Sequence, residues 1–375
     1  MKFRNLVPVV VLAMGPSLAL AEDLVIGGVL SLTGPYAFVG KSAIRGMEMA
    51  IEEVNASKTL GGSRTLKLVA EDDGSNNNQA ITLLTKFATN PSTIAIAGPT
   101  ASATVVAASP AANEHKIPML GIAVSTAVNA AGPWSNRLLN SPATLFEALS
   151  EYSFNRFKPK SVMTIAARDN DGAAAQSVVA RKWFEGKVTL LPEESALMAD
   201  TDFSALATKI ASQKPSLVII TLNDAAAANI ILQARQAGVG KEVQFVSTTA
   251  PAQPSFIKIG GQAVEGTVMA TDALPEIRTD ALTKAYVANF QKKFGAPPDQ
   301  FATIGYTIVK LYGQAISGIK GPVNRDGVRN ALVNLKNVPV TIGDGKINFA
   351  FDKDRNPVYR PIIVEVRDQK HQVAP

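Results

Sequence analysis

The sequence predicts an α/β protein built as two Rossmann-like lobes, each a parallel sheet covered by helices, with a hinge that the chain crosses several times. Short apolar runs alternate with helical stripes from residue 24 onward, the pattern of βαβ units and parallel sheets. The alternation restarts after Ser141-Pro142, so the unit is doubled. Further helical segments follow the second series and bring the chain back to the first lobe. Several crossings make a hinge where a single one would make a tether. A chain of 375 residues is also long for one domain, and two is the natural expectation.

The elements follow in order. Residues 24–30 read as a short buried strand and 31–40 as a loop. Residues 42–55 carry apolar side chains at 43, 44, 47, 50, 51 and 54, a helical stripe. Strand 66–70, a polar loop at 72–78, helix 78–88, strand 93–97, helix 102–114 and strand 118–123 complete the first series. The second series reads as helix 145–156, strand 161–166, helix 173–184, strand 188–191, helix 203–213, strand 217–222, helix 225–237 and strand 244–248. Strand 266–270, an amphipathic region at 281–294 and helix 301–319 come next, and the tail from 343 reads as strands with a turn at 352–356. The resulting division is a leader of 1–21, a first lobe of 22–141 plus 272–335, and a second lobe of 142–271 plus 336–375.

The leader has its own logic. Lys2 and Arg4 precede an apolar stretch broken only by Pro8, then Ala19-Leu20-Ala21 and acidic Glu22-Asp23. That is a secretory signal peptide with cleavage expected after Ala21; its apolar run is about half of the ~20 residues that a transmembrane helix needs. The chain has no cysteine, so an exported protein of this composition must be held by its core. Thiol nucleophiles, cysteine metal sites and redox motifs are excluded with it. The formal net charge of +6 falls by two when Lys2 and Arg4 leave. The basic residues are scattered, with no run interleaved with aromatics, which argues against nucleic acid. A mildly basic surface favours anionic solutes or membrane surfaces only weakly.

Open α/β sheets bind ligands outside the carboxyl ends of their strands, so the strand-to-helix loops are the candidate sites. Gly34 to Ser42 looks like a phosphate-cradling loop, but it has five residues between its glycines where the P-loop has four. Pro35 removes a donor as well, leaving a loop on a cleft rim as the preferred reading. Gly98-Pro-Thr-Ala-Ser102 ends a strand and opens a helix. Free N–H groups there favour an anion; equally, Thr100 or Ser102 would cap the helix. Ala123-Val-Ser125-Thr126 follows the next strand in the same way, and two hydroxyl-bearing loops would converge on one carboxylate. Catalytic patterns are thin. The two histidines, His115 and His371, read as surface residues, and no nucleophile elbow, dinucleotide fingerprint or His-x-x-x-His pair occurs. No enzyme activity, cofactor or metal is expected. Asp72-Asp73 with Asn76 to Asn78 lacks EF-hand spacing and reads as a solvated loop; Glu52-Glu53 reads as a polar helix face.

An ordered set of motifs then resembles a family. Its elements are Ser31-Leu-Thr-Gly-Pro-Tyr-Ala-Phe-Val-Gly40, Gly46-x-x-x-Ala-Ile-Glu-Glu-Val-Asn-Ala56, Gly98-Pro-x-x-Ser102, Ile117-Pro-Met-Leu, Val264-Glu-Gly-Thr and Pro298-Asp-x-Phe-Ala-x-x-Gly-Tyr306. Together they are similar to the periplasmic leucine/isoleucine/valine-binding proteins of ABC transporters, over essentially the whole mature chain. The resemblance implies a type I periplasmic binding fold with three hinge crossings. It further implies a monomer in the periplasm that closes on a branched-chain or other hydrophobic amino acid and delivers it to an ABC transporter permease. The carboxylate positions fall on Ser102, the backbone of Ala123, and Ser125, with Thr100 as a side-chain contact. Val39 stands where an aromatic often flanks the ligand, with Tyr36 and Phe38 nearby. In the second lobe Asp171-Gly172 and Asn223-Asp224 stand where tyrosines are common, and Thr249 where a glutamate pairs with the ligand ammonium. These departures leave two ligands open: an amino acid whose ammonium meets Asp171 or Asp224, or an aromatic or aliphatic acid with no ammonium. A ligand-sensing module of the same fold is the alternative of another class.

Overall fold

The computed structural model describes residues 23–61, 64–247 and 254–375; the leader and its expected cleavage site lie outside the described residues. The first lobe starts with β1 (Asp23–Leu30), α1 (Ala37–Ser57), β2 (Thr65–Asp72), α2 (Asn77–Thr89), β3 (Thr93–Ala97) and α3 (Ser102–Glu114). It continues through β4 (Met119–Gly121), α4 (Ala127–Ala130) and β5 (Ser135–Arg137). The sheet runs β2-β1-β3-β4-β5, parallel throughout. Every residue of β3, Thr-Ile-Ala-Ile-Ala, is buried, because a parallel sheet is covered on both faces and its central strands lose the usual alternation. The short α4 and β5 are absent from the sequence reading. Ser135-Asn136-Arg137 is polar yet wholly buried, so no apolar run marks it as a strand.

The second lobe holds α5 (Pro142–Phe157), β6 (Ser161–Ala167), α6 (Asp171–Phe184), β7 (Thr189–Leu190), β8 (Glu194–Ala196), α7 (Ser204–Gln213), β9 (Leu217–Thr221), α8 (Asp224–Gln236), β10 (Gln244–Ser247), α9 (Pro254–Gly260) and β11 (Val268–Thr271). Three helices then return to the first lobe: α10 (Ala281–Phe294), α11 (Gln300–Ser317) and α12 (Arg325–Val333). A hairpin of β12 (Ala350–Phe351) and β13 (Pro357–Val358) precedes β14 (Ile362–Arg367) and β15 (Lys370–Val373). The second sheet is ordered β15-β14-β11-β10-β9-β6-β7, with β8 also on β6. Its β14 and β15 are antiparallel to their neighbours, so this sheet is mixed at one edge where the sequence reading has it parallel.

Helices cover both faces of each sheet. In the first lobe α1, α11 and α12 share one apolar core with β1 and β3, and α2 and α3 pack on the opposite face. In the second, α7 and α8 cover one face and α5 and α6 the other.

The predicted third crossing, at residue 336, is displaced. Val340, Ile342, Phe349, Phe351 and Tyr359 all pack in the first lobe's core. The turn of the β12–β13 hairpin is also fastened there. Arg355 donates from Nη2 to Asn129 O and from Nη1 to Gly132 O, both at 2.6 Å, and Asn129 Nδ2 returns a bond to Arg355 O at 2.7 Å. The chain crosses only between Tyr359, in the first core, and Ile362, in the second. Residues 336–359 therefore belong with the first lobe, because their aromatic side chains find their burial there.

The α1–α11 contact explains two motif glycines. A Cβ on Gly46 would stand 1.8 Å from Ala302 O, and one on Gly305 would stand 2.3 Å from Ala43 O. The two backbones thus touch where each helix lacks a side chain. Gly46→Ala is expected to lower stability by about 1–3 kcal/mol, seen as a fall in urea midpoint at unchanged slope.

Candidate functional site

In the first lobe the carboxyl ends of β1, β3 and β4 lead into three loops that interlock. Gly98 N–H donates to Leu120 O at 3.0 Å and Ile122 N–H to Pro99 O at 2.9 Å, which sets the β3 loop beside the β4 loop. A Cβ on Gly98, whose φ is +102°, would meet Val29 O at 2.2 Å, so this close passage over β1 needs glycine. Ser102 is half-buried, and its hydroxyl oxygen accepts Val124 N–H at 3.2 Å. Ser125 is also half-buried, and its oxygen accepts Ala127 N–H at 3.3 Å. Each hydroxyl is oriented as an acceptor and keeps its own proton to donate. Ala123, buried to 1% exposure, lies between the two loops' contacts. No side chain caps α3, whose N-cap position is Ala101. Neither of the two capping candidates, Thr100 and Ser102, takes that role.

Thr100 is enclosed by the neighbouring loop. It is 2% exposed, and its hydroxyl oxygen accepts Ser31 N–H at 2.8 Å. Ser31 in turn donates from Oγ to Asp73 Oδ1 at 2.8 Å. The adjacent Asp72 is a clamp: its Oδ1 accepts the N–H groups of Leu32 at 2.8 Å, Thr33 at 3.1 Å and Gly74 at 2.9 Å, and its Oδ2 accepts the Thr33 hydroxyl at 2.6 Å. Within the loop, Asn76 to Asn78 are exposed and Asp72 is half-buried, while Asp73 is fully buried, and both carboxylates are engaged by the chain's own donors. Partial burial pushes the Asp72 carboxyl up, but the Thr33 hydroxyl and the three N–H groups together hold it below the usual carboxylate range. Burial dominates at Asp73 and raises it.

The aromatic rim differs from the position expected. Val39 is 4% exposed and packs in the first lobe's core, because it faces inward from the first turn of α1. Tyr36, half-buried just before α1, donates its N–H to Ser75 Oγ at 3.1 Å. Phe38 is exposed and meets Phe301 edge-on, ring centroids 5.6 Å apart. Phe301, carried in the Pro298-to-Tyr306 motif, opens α11 beside α1, and no local pattern pairs it with Phe38.

On the second lobe the N-termini of α6 and α8 are closed by their own residues. Asn170 caps α6, its side chain accepting Ala173 N–H at 2.9 Å. Asp171 follows as the first residue of α6; its side chain lies outside the described residues, as does the whole of Thr249. Asn223 caps α8 by accepting Ala226 N–H at 2.8 Å, and its Nδ2 donates to Met198 O at 2.8 Å. Asn223 thus serves the helix and the loop beside it. Asp224, half-buried, accepts a hydrogen bond from the Ser255 hydroxyl on α9.

Two α/β lobes with three crossings, and hydroxyl-bearing loops at the carboxyl ends of parallel strands, define a type I solute-binding fold. The Periplasmic binding protein family matches residues 23–371, and the chain belongs to that family. It is similar to the Leu/Ile/Val-binding protein homolog 1 of Brucella abortus, with 26% identity and 78% of each chain covered. It is also similar to the amino acid binding protein of Pseudomonas aeruginosa, with 25% identity and 81% of each covered. In fold it matches the branched-chain amino acid transporter substrate binding protein LivJ from Streptococcus pneumoniae, solved in complex with isoleucine. The TM-score is 0.82 at 21% identity, over 94% of this chain and 99% of that one. The leucine binding protein LivK from Thermotoga maritima matches with a TM-score of 0.81 at 22% identity, over 94% and 98%.

The Asp72 clamp has a pH signature. A carboxyl lowered by folding contributes stability above its unfolded value, near about 4, and that contribution is lost as pH falls through the folded value. Hydrogen-exchange protection of the Thr33 amide is expected to disappear in that acid range. Asp72→Ala should reduce it about tenfold or more at neutral pH, read by exchange mass spectrometry or NMR.

Proposed function

We propose that this protein is the extracytoplasmic solute-binding component of an ABC importer. It acts in the periplasm and closes its two lobes around a small carboxylate-bearing solute, a branched-chain or other hydrophobic amino acid. The observation that carries this reading is the donor set of the first lobe. The Ser102 and Ser125 hydroxyls are each held as acceptors of a backbone N–H with a proton left to give, beside an α3 N-terminus that no side chain caps. Donors without an acceptor of their own suit a carboxylate, and a helix N-terminus favours negative charge. The relatives named above, a Leu/Ile/Val-binding protein homolog and an amino acid binding protein, support an amino acid. Among the described residues no helix is long and apolar enough to cross a membrane.

The role is binding without chemistry. Solute docks on the first lobe, the second swings over it, and the closed form is what the permease recognises. A monomer suffices for this.

A second ligand reading rests on the other lobe. Asn223 is spent as a cap, and Asp224 already accepts the Ser255 hydroxyl. An ammonium taken from water needs a polar or anionic partner, and an aromatic or aliphatic acid needs none. Titration calorimetry of the mature protein with leucine, valine and benzoate separates the two; heat from benzoate alone would sink the amino-acid reading. The Ser102→Ala/Ser125→Ala double variant should lose about 3 kcal/mol or more of binding, over a hundredfold in Kd, with its thermal midpoint little changed. Unaltered affinity in that variant would remove the proposed carboxylate site.

A further inference from the structure

The lobes are joined by three stretches of chain, each passing from one core to the other: between Leu139 and Leu145, between Ala270 and Ala273, and between Tyr359 and Ile362. One carboxylate touches all three. Asp272, in the second crossing, is 1% exposed. Its Oδ1 accepts the first crossing's Asn140 through Nδ2 at 2.8 Å and through the backbone N–H at 3.3 Å. The same oxygen accepts the third crossing's Tyr359 hydroxyl at 2.7 Å. The backbone of Asp272 is held as well, its carbonyl accepting Gly343 N–H at 2.7 Å. The charge beside it comes from Arg137, 2% exposed, whose guanidinium donates to Leu139 O and to Asn356 Oδ1.

We propose that Asp272 is a positioning residue for lobe closure. Its shared oxygen couples the three crossings, so that they rotate as one hinge and the ligand-free lobes keep a narrow range of angles. The inference rests on the reading of the protein as a closing solute binder. The physical ground is that a buried carboxylate must keep its donors. Turning one crossing without the others pulls Asn140 or Tyr359 away from Oδ1 in a place where water does not readily replace them. Each such charge-assisted bond carries about a tenfold factor or more in an equilibrium constant. Prolines on the second-lobe side, Pro142 after the first crossing's Asn140 and Pro361 after the third's Tyr359, fix φ there and narrow the remaining freedom. The ring of Tyr359 is packed independently of its hydroxyl, stacking on Phe349 with centroids 6.2 Å apart; the hydroxyl also reaches Leu138 O at 3.2 Å, but its shorter bond is the one to Asp272.

The test uses the absence of native cysteine. Asn78→Cys on the first lobe and Val178→Cys on the second, both at exposed positions, carry spin labels, and the distance distribution between them is measured without solute. Tyr359→Phe keeps the ring and removes the tie, and Asp272→Asn removes the charge. Asn140→Ala replaces the latter if it does not fold. Tyr312→Phe is the control: it removes a buried hydroxyl bond, to Ile96 O at 2.8 Å, lying wholly inside the first lobe. The hinge variants should broaden the solute-free distribution, raising the minor-to-major population ratio about tenfold, while Tyr312→Phe loses stability with the wild-type distribution. Hinge variants with a wild-type distribution and only a lower melting temperature would overturn the proposal. Failure of the solute-binding reading looks different: the wild-type distribution then stays unchanged when solute is added.

Discussion

The placement of the two lobes depends on a buried carboxylate. Asp272 is fully enclosed, and burial pushes its carboxyl up, against the opposing pull of the Tyr359 and Asn140 bonds and of Arg137. Arg137 is buried in turn, and loss of water lowers its guanidinium while Tyr359, Asp272 and Asp352 support its charge. Neither charge is comfortable alone in a medium that solvates poorly. Asp352 extends the arrangement into the β12–β13 turn by accepting the N–H of Asn356 at 2.8 Å, the residue whose Oδ1 Arg137 holds. Hinge, hairpin turn and the buried edge strand β5 are therefore joined by polar contacts through Arg137, Asn356 and Asp352.

The site faces the same constraint with the opposite solution. In the second lobe the N-termini of α6 and α8 are closed by Asn170 and Asn223, so those helices need no ligand to satisfy them. In the first lobe α3 has no side-chain cap, and the hydroxyls beside it have unspent protons. The proposed polar grip on the first lobe rests on this difference between α3 and the two capped helices. The Asp72 clamp and the Thr100–Ser31 bond hold the neighbouring loop still, which is what a site built from loops needs if its donors are to be aimed before the ligand arrives.

Several features were legible from residues alone, and the misses have identifiable causes. Long periodic segments such as 281–294 matched α10 to the residue, because an amphipathic stripe reports burial on one face. β5 was invisible because its buried side chains are polar. The pair Asp72-Asp73 looked solvated because carboxylates usually are; its partners, Leu32, Thr33 and Ser31, lie some 40 positions away. Val39 matched a motif position, yet the turn of α1 aims it into the core.

By itself the sequence determined the alternation of strands and helices, its doubling, and the loops where donors gather, since these follow from periodicity and from residue type. Only the tertiary structure decided which hydroxyls are enclosed and which stay accessible: Thr100 and Ser102 each accept a backbone N–H, but Thr100 is buried and Ser102 is half-buried, which their local pattern does not show. It also decided where the chain makes its last crossing. Phe349, Phe351 and Tyr359 are apolar enough for either core, and what assigns them is the surface they meet.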